Sequence, residues 1–223
     1  MKYILEMLKL QQELNNNTNG RNWEEGVTES GKIIDWNRCI YLEVAELIDS
    51  YPWKHWKDID ASPNYENIKI EIVDIWHFIM SEALRIYKIE NRGSFEELAR
   101  DISNLEEFKK FSKNQRNISD NIYKQIDLIE ELPEAIFCRR GIEEIITKFF
   151  KIAQIALEYN ELYRLYIGKN ILNIFRQNHG YIDGTYNKIW GDREDNIVLQ
   201  EILEGNPNIT PKELYSKLEE NYI

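Results

Sequence analysis

Apolar residues recur three and four positions apart along most of the chain, which is the spacing of one helix face. Clusters of Asn and Gly at 15–20 interrupt the first run, and Ser62-Pro63 precedes the third. No segment alternates between apolar and polar residues, as a strand would, for more than a few positions. The pattern predicts an all-α helical bundle, with helices at about residues 1–16, 37–51, 65–91, 95–113, 118–131, 140–159, 160–178, 194–204 and 210–221.

Length and one change in composition predict the domain organisation. At 223 residues the chain fits a single domain covering 1–223. The stretch at about 90–135 is more charged and less apolar than the segments on either side. Because its pattern is helical, it predicts a helical insert on the common bundle and not a flexible linker.

The composition excludes disorder and one class of partner. With 43% hydrophobic and 12% aromatic residues, the chain can bury a substantial core. A formal net charge of −11 repels phosphate backbones, so we expect no nucleic-acid partner. A small nucleotide is still compatible, because metal ions can reverse the sign of the field inside one pocket.

Cysteine usage and hydropathy predict where the protein works. Cys39 and Cys138 both lie within apolar helical patterns, which is typical of reduced core residues in a cytoplasmic protein. No apolar run approaches the ~18 residues of a membrane span, and the N-terminus lacks the apolar region of a signal peptide. We therefore expect a soluble cytoplasmic protein without a membrane partner.

Two pairs of carboxylates differ from the many others by their surroundings. The chain has 39 acidic residues, so Glu-x-x-Glu spacing alone carries little information. Glu43 and Glu46, however, are the only charged residues in 39–48, and Glu71 and Asp74 the only formal charges in 70–80. Both segments are apolar around nearly the whole helix, which predicts buried helices. Residues three apart share a face, so each pair presents its oxygens in one direction.

Four buried carboxylates require positive charge among them, since an unpaired ionised group in an apolar setting costs several kcal/mol. Hard oxygen ligands from two helices favour Mg²⁺, with Mn²⁺ as the other candidate. The alternative is that Lys or Arg residues from elsewhere in the core pair with these acids. With three histidines, a zinc site is disfavoured, and a di-iron bundle is disfavoured because the Glu-x-x-His pairs that it needs are missing.

A second group of polar residues near the C-terminus has the chemistry of a phosphate site. Two cations and an amide lie on one helix face, at i, i+4 and i+7. Two glycines then allow turns that return a tyrosine and a lysine towards that face. Arg and Lys are the natural ligands of phosphate oxygens, although a solvated cationic helix end is the alternative. The residues are Lys169, Asn173, Arg176, Gly180, Gly184, Tyr186 and Lys188.

Near the N-terminus, Gln12 and Asn15 lie one turn apart, and their carboxamides can read the edge of a pyrimidine or a sugar hydroxyl. On a helix such residues are more often simply solvated. Phe78 is four residues after Asp74, hence on the same face as the acids. The further aromatic candidates for a base-binding wall, each of which could instead belong to the core or an interface, are Trp53, His55 and Trp56.

In combination these motifs resemble a known family. LQxxLN, ExxE followed by PWKHW, ExxDIWHF, GKNxLNxFRQxxGYxxGxYxKxW and EDN occur in the order found in the dimeric all-α dUTPases, over residues 8–196. The resemblance implies a Mg²⁺-dependent homodimer that hydrolyses dUTP to dUMP and pyrophosphate, with dUDP as a second substrate. That activity keeps uracil out of DNA.

The resemblance also implies residue roles. Glu43, Glu46, Glu71 and Asp74 would hold the metal, and Glu43 would orient and deprotonate the attacking water. Contacts to phosphate and sugar would come from Lys169, Asn173, Arg176, Tyr186 and Lys188, with Lys169 and Arg176 stabilising the developing charge. The pocket for uracil and deoxyribose would comprise Gln12, Asn15, Trp56, His77 and Phe78. Two alternatives are a pyrophosphohydrolase acting on another nucleotide such as dCTP, and a non-enzymatic helical interaction protein whose acids form structural ion pairs.

Overall fold

A computed structural model describes residues 1–58, 60–115 and 117–222. Their secondary structure is almost entirely helical, which confirms the predicted all-α class. The helices are α1 (Lys2–Asn19), α2 (Trp36–Asp49), α3 (Tyr65–Ile89), α4 (Phe95–Asn104), α5 (Glu106–Ser112), α6 (Ile122–Phe137), α7 (Ile142–Ala153), α8 (Tyr159–Asn178), α9 (Asp195–Gly205) and α10 (Pro211–Asn221). A short 3₁₀ helix spans Trp23–Glu25, and β1 (Ile189–Trp190) pairs antiparallel with β2 (Arg193–Glu194).

The largest difference from the predicted helices is at 95–113, where two helices replace one. Leu105 adopts φ −60° and ψ 135°, an extended conformation that separates α4 from α5. Its side chain is partly buried and packs against the main core. At the other end of α4, Ser94 and Glu97 form a reciprocal capping box.

The long helix α3 lies at the centre of the molecule and contacts α1, α2, α7 and α8. Trp76 on α3 is fully buried and stacks on Phe149 of α7, with ring centroids 4.7 Å apart. Leu98, Phe111 and Ile129, from the predicted insert at 90–135, belong to the same apolar core as α3. That segment therefore forms part of the main core, and its status as an insert stays a prediction.

A second, smaller core is built by the C-terminal half of α8, the hairpin, α9 and α10. Phe175 and Trp190 lie at its centre. Gly168 allows α8 and α9 to approach closely, since a Cβ there would lie 2.8 Å from Leu203 Cδ1. The close approach brings the first residues of α9 beside the polar face of α8, and a cleft forms between this unit and the α2–α3 pair.

Two expectations about burial were wrong. Helix α2 buries one face, through Ile40, Val44 and Leu47, while Leu42 is 53% exposed. The main packing partners of α2 are α3 and α6 on its inner side, so the side that carries Leu42 is left exposed in the described part of the chain. Cys138 is likewise exposed at the end of α6, and only Cys39 is partly buried. No helix in the described part of the chain is long and apolar enough to cross a membrane.

Candidate active site

A cleft of about 560 Å³ lies between α1, α2, α3, α8 and the start of α9. It brings together side chains from sequence segments that are far apart. Among the residues predicted to form a site, those that line it are Asn15, Glu43, Glu46, Glu71, Asp74, His77, Phe78, Lys169, Asn173, Arg176 and Lys188. The two carboxylate pairs and the cationic face of α8 therefore share one cavity.

Three acids form what we call the carboxylate cluster: Glu43 and Glu46 from α2, and Glu71 from α3. One oxygen from each lies within 4.8 Å of the other two. Glu71 is buried, Glu43 is partly buried and Glu46 is exposed to the cleft. Asn67, one helical turn before Glu71, donates a 3.1 Å hydrogen bond to it. The cluster is thus rigid at its buried end and open at the other.

The electrostatics of the cluster are unfavourable without a cation. Burial, and then repulsion from Asp74 and Glu46, raises the pKa of Glu43 to about 7. Burial, and then repulsion from Asp74, Glu43 and Glu46, raises the pKa of Glu71 to about 8. Near neutral pH the cluster therefore retains protons that a cation can displace. Closely spaced hard oxygen donors of this kind fit a divalent metal, and Mg²⁺ or Mn²⁺ better than a softer ion.

Asp74 shares the cleft but is paired differently from the cluster. Its Oδ2 accepts a 2.7 Å hydrogen bond from Lys169 Nζ. The same ammonium donates to Asn196 Oδ1 at 2.8 Å. The structure therefore realises both sequence interpretations at once: three acids face one another as a candidate metal site, and the fourth pairs with a lysine from elsewhere in the core.

Arg176, about two turns along α8 from Lys169, is held by a fully buried acid. Its Nε and Nη2 donate to the two oxygens of Asp195 at 2.8 and 2.7 Å. The hydroxyl of Tyr186 donates to Asp195 Oδ2 at 2.7 Å, and Arg176 Nη1 lies 3.3 Å from Asn173 Oδ1. Asp195 thus fixes the plane of the guanidinium, which lines the cleft.

His77 lies at the inner end of the cleft as a neutral ring. Burial lowers its pKa to about 3. Nδ1 is 2.7 Å from Gln11 Oε1, and the ring stacks on Tyr166 with centroids 4.3 Å apart. Because Gln11 donates its amide hydrogens to Asn15 Oδ1 and Ser81 Oγ, Nδ1 of the neutral ring is the donor to Oε1. Nε2 is then an acceptor, and it has no partner among the described residues.

An aromatic wall closes one side of the cleft. Trp36, the first residue of α2, stacks on Phe78 with ring centroids 5.9 Å apart and an interplanar angle of 28°. Trp36 also forms a T-shaped pair with the buried Trp23, with ring centroids 5.7 Å apart. Both Trp36 and Phe78 line the cleft, so a planar apolar group can lie against them.

A family model described as dUTPase matches residues 3–181. The chain belongs to the all-α dUTPase family. It is accordingly a hydrolase of nucleotide metabolism that cleaves a pyrophosphate bond of dUTP, and the alternative of a non-enzymatic interaction protein is wrong. Divalent metal is usual for the family, and the carboxylate cluster agrees with it. Comparison with curated proteins gave no match.

The family match covers the carboxylate cluster and the cationic residues of α8 in this dUTPase, but ends before the hairpin and α9. Lys188, Asp195 and Asn196 lie beyond it. Their connection to the cleft is therefore seen in the geometry and not in the family match: Lys188 lines it, Asn196 binds Lys169, and Asp195 holds Arg176.

Three residues predicted for the dUTPase site do not line the cleft. Gln12 is turned about 100° from Gln11 on α1 and donates instead to Glu24 at 2.7 Å. Trp56 is 65% exposed in the loop after α2. Tyr186 lies behind Arg176 and reaches the cleft only through Asp195. In each case the position along the helix or loop directs the side chain elsewhere.

Sequence reasoning missed several side chains of the dUTPase cleft. A signal for Gln11 existed: the buried stripe of α1 runs through Ile4, Met7 and Leu8, and its next positions are 11 and 14–15. A polar residue on such a stripe is a candidate for function. Trp36 is seven residues before Glu43 and so shares its face. Asn196 belongs to the EDN motif, but nothing local indicates its role, because its contact with Lys169 depends on how α9 meets α8.

Proposed function

We propose that this dUTPase is Mg²⁺-dependent and specific for deoxyuridine nucleotides. It would convert dUTP to dUMP and pyrophosphate, and dUDP to dUMP and phosphate, so that uracil is kept out of DNA. The observation that carries this proposal is the meeting of the carboxylate cluster and the cations of α8 across one cleft. Mn²⁺ is the expected substitute for Mg²⁺.

The metal would be held by the carboxylate cluster, with Asp74 as the fourth ligand. The raised pKa values of Glu43 and Glu71 support this role, because they report negative charge that the protein alone does not neutralise. When bound, a divalent ion supplies Lewis-acid activation and charge neutralisation of the phosphates. Glu43 would take the proton of the attacking water.

The phosphate chain would lie along α8. Lys169 and Arg176 would bind phosphate oxygens and absorb charge that develops as the bridging P–O bond breaks. Asn173 and Lys188 line the same wall and would complete the phosphate site. Tyr186, which does not line the cleft, would act through Asp195 by keeping Arg176 in place.

The base and sugar would occupy the inner end of the cleft, against the wall formed by Trp36 and Phe78. Nε2 of His77 offers an acceptor to a substrate hydroxyl or imide N–H. Asn15 lines this end, and Gln11 takes the place expected for Gln12 by holding His77 in one tautomer. Trp56, which does not line the cleft of its own chain, would not contact the base there.

A pyrophosphate- and phosphate-release assay tests the proposed specificity. With Mg²⁺, dUTP and dUDP should be hydrolysed at least about tenfold more efficiently than dTTP, dCTP or UTP. Cytosine lacks the imide N–H that His77 Nε2 would accept, and the extra methyl of dTTP or hydroxyl of UTP would have to fit at the inner end of the cleft. Chelation should abolish turnover, and Mn²⁺ should restore it. Equal efficiency on UTP and dUTP would contradict specificity for deoxyribose. A preference for dCTP would show that dCTP, and not dUTP, is the substrate.

The Glu43→Gln variant tests the proposed base. It keeps the size of the side chain but cannot accept a proton, so turnover should fall at least about a hundredfold while nucleotide still binds. Single-turnover kinetics and fluorescence binding separate the two quantities. Exposed Glu46 supplies the control: Glu46→Gln should weaken metal binding more than it lowers turnover at saturating Mg²⁺. Near-wild-type turnover by Glu43→Gln would exclude the base role.

The proposal includes a cytoplasmic homodimer. Exposed apolar side chains on the α2–α6 pair support an interface there: Leu42 is 53%, Tyr123 61% and Phe137 68% exposed. Light scattering after size exclusion should give twice the chain mass, and Phe137→Lys should shift it to the monomer. A wild-type monomer at micromolar concentration would contradict the dimer.

The two free cysteines are compatible with the reducing cytoplasm, which cell fractionation can test.

A further inference from the structure

The ion pair between Lys169 and Asp74 is the feature that the proposed function does not yet use. Lys169 is 3% exposed, and its ammonium lies 2.7 Å from Asp74 Oδ2. Within 1–58, 60–115 and 117–222, it is the one cation in ion-pair contact with the four acids of the cleft. Asp74 therefore already has a counter-charge, and the carboxylate cluster beside it has none.

This arrangement conflicts with simultaneous binding of a metal at the same oxygen. A divalent ion shared by the cluster and Asp74 would face a buried ammonium at short range, and like charges repel strongly where water is excluded. The ammonium would have to leave Asp74 Oδ2. Asn196 provides a second partner at 2.8 Å that is independent of the acids, so Lys169 can turn away without losing all its hydrogen bonds.

We propose that Lys169 is an internal counter-cation which occupies Asp74 in the metal-free enzyme and is displaced onto substrate phosphate when the divalent ion binds. The proposal rests on the metal role assigned above to the four acids. Metal alone binds against the repulsion of the ammonium, whereas metal and a nucleotide together give the displaced ammonium a new anionic partner. Metal and nucleotide affinities are therefore coupled through one side chain.

Metal binding without nucleotide tests this directly. Mn²⁺ alone is titrated into the enzyme at pH 8, and the free ion is measured by electron paramagnetic resonance. Lys169→Met keeps most of the length of the side chain and removes the charge, so the dissociation constant for Mn²⁺ should fall roughly tenfold. A lysine that serves only as a phosphate ligand would leave this constant unchanged.

Matched variants isolate the charge at this position. Lys188→Met removes another cation from the same cleft, one that lies over the Tyr181 ring, and should change the constant less than twofold. Lys169→Arg keeps the charge and should stay near wild type. Circular dichroism checks each fold, and Lys169→Gln replaces the Met variant if that variant is unfolded.

Each outcome decides between the two proposals. Tighter Mn²⁺ binding by the neutral variants, with wild-type-like binding by Lys169→Arg, supports the counter-cation. Unchanged or weaker binding by the neutral variants, with a wild type that binds Mn²⁺, overturns it and leaves the proposed function intact. A wild type that binds no Mn²⁺ overturns both.

Discussion

The buried pair of Arg176 and Asp195 gives the sharpest test of how the phosphate side of the cleft is held. Asp195 is fully buried and accepts two hydrogen bonds from the guanidinium and one from the Tyr186 hydroxyl. Asp195→Ala leaves the largely buried arginine charge without a counter-charge. The change also leaves a phenol without an acceptor.

Breaking a buried ion pair from one side costs about 3–5 kcal/mol, because the remaining charge stays desolvated. For a chain of this length, each kcal/mol lowers the melting temperature by about 2–4 °C. We therefore expect Asp195→Ala to melt roughly 10 °C below wild type. The double variant, Arg176→Met with Asp195→Ala, removes both charges. Its loss of unfolding free energy should be smaller than the sum of the losses of the two single variants by at least about 2 kcal/mol.

Thermal unfolding followed by circular dichroism at 222 nm measures these differences. Asp192→Ala is the matched control, because Asp192 lies three residues earlier, in the turn of the hairpin, and its side chain is 98% exposed. The control should melt within about 1 °C of wild type. If Asp195→Ala melts within about 2 °C of the control, or if the double variant shows additive loss, the buried pair does not hold the phosphate side together.

Three further predictions concern other parts of the molecule. Gln11→Ala should raise KM for dUTP at least about fivefold, because the His77 ring loses its hydrogen-bond partner, whereas Gln12→Ala should change KM less than twofold. Equal effects of the two changes in steady-state assays would contradict the orientation of α1. Because folding raises the pKa of Glu71 to about 8, the resulting stability is present below about pH 4.5 and is lost as the pH rises to about 8. The melting temperature of the metal-free protein should therefore fall over that pH range, and saturating Mg²⁺ should reverse the fall. A flat profile would contradict the burial of the carboxylate cluster. In urea unfolding, Gly180→Ala should lower the free energy of unfolding by about 2 kcal/mol and Gly184→Ala by about 1 kcal/mol. Both glycines have positive φ, but only at position 180 would a Cβ collide with a neighbour. The reverse order of the two losses would exclude the collision.

The carboxylate pairs show how far local pattern reaches. An acid in an apolar run is conspicuous in the sequence, and helical spacing correctly put each pair on one face, so Glu43, Glu46 and Glu71 could be predicted as a cluster. The same pattern overstated the burial of α2, because a helix at the edge of a bundle can be apolar all round without being covered on both sides. Helical period gives the faces of a helix but not what covers each of them.

The sequence by itself determined the helical class, the family and most of the groups in the cleft, because periodicity and side-chain chemistry are local properties of the chain. Only the tertiary structure decided which groups face one another. It paired Asp74 with Lys169, 95 residues apart, and Arg176 with Asp195, and it selected Gln11 over Gln12. Such pairings depend on how α3, α8 and α9 pack, and a shift of one residue along a helix turns a side chain by about 100°.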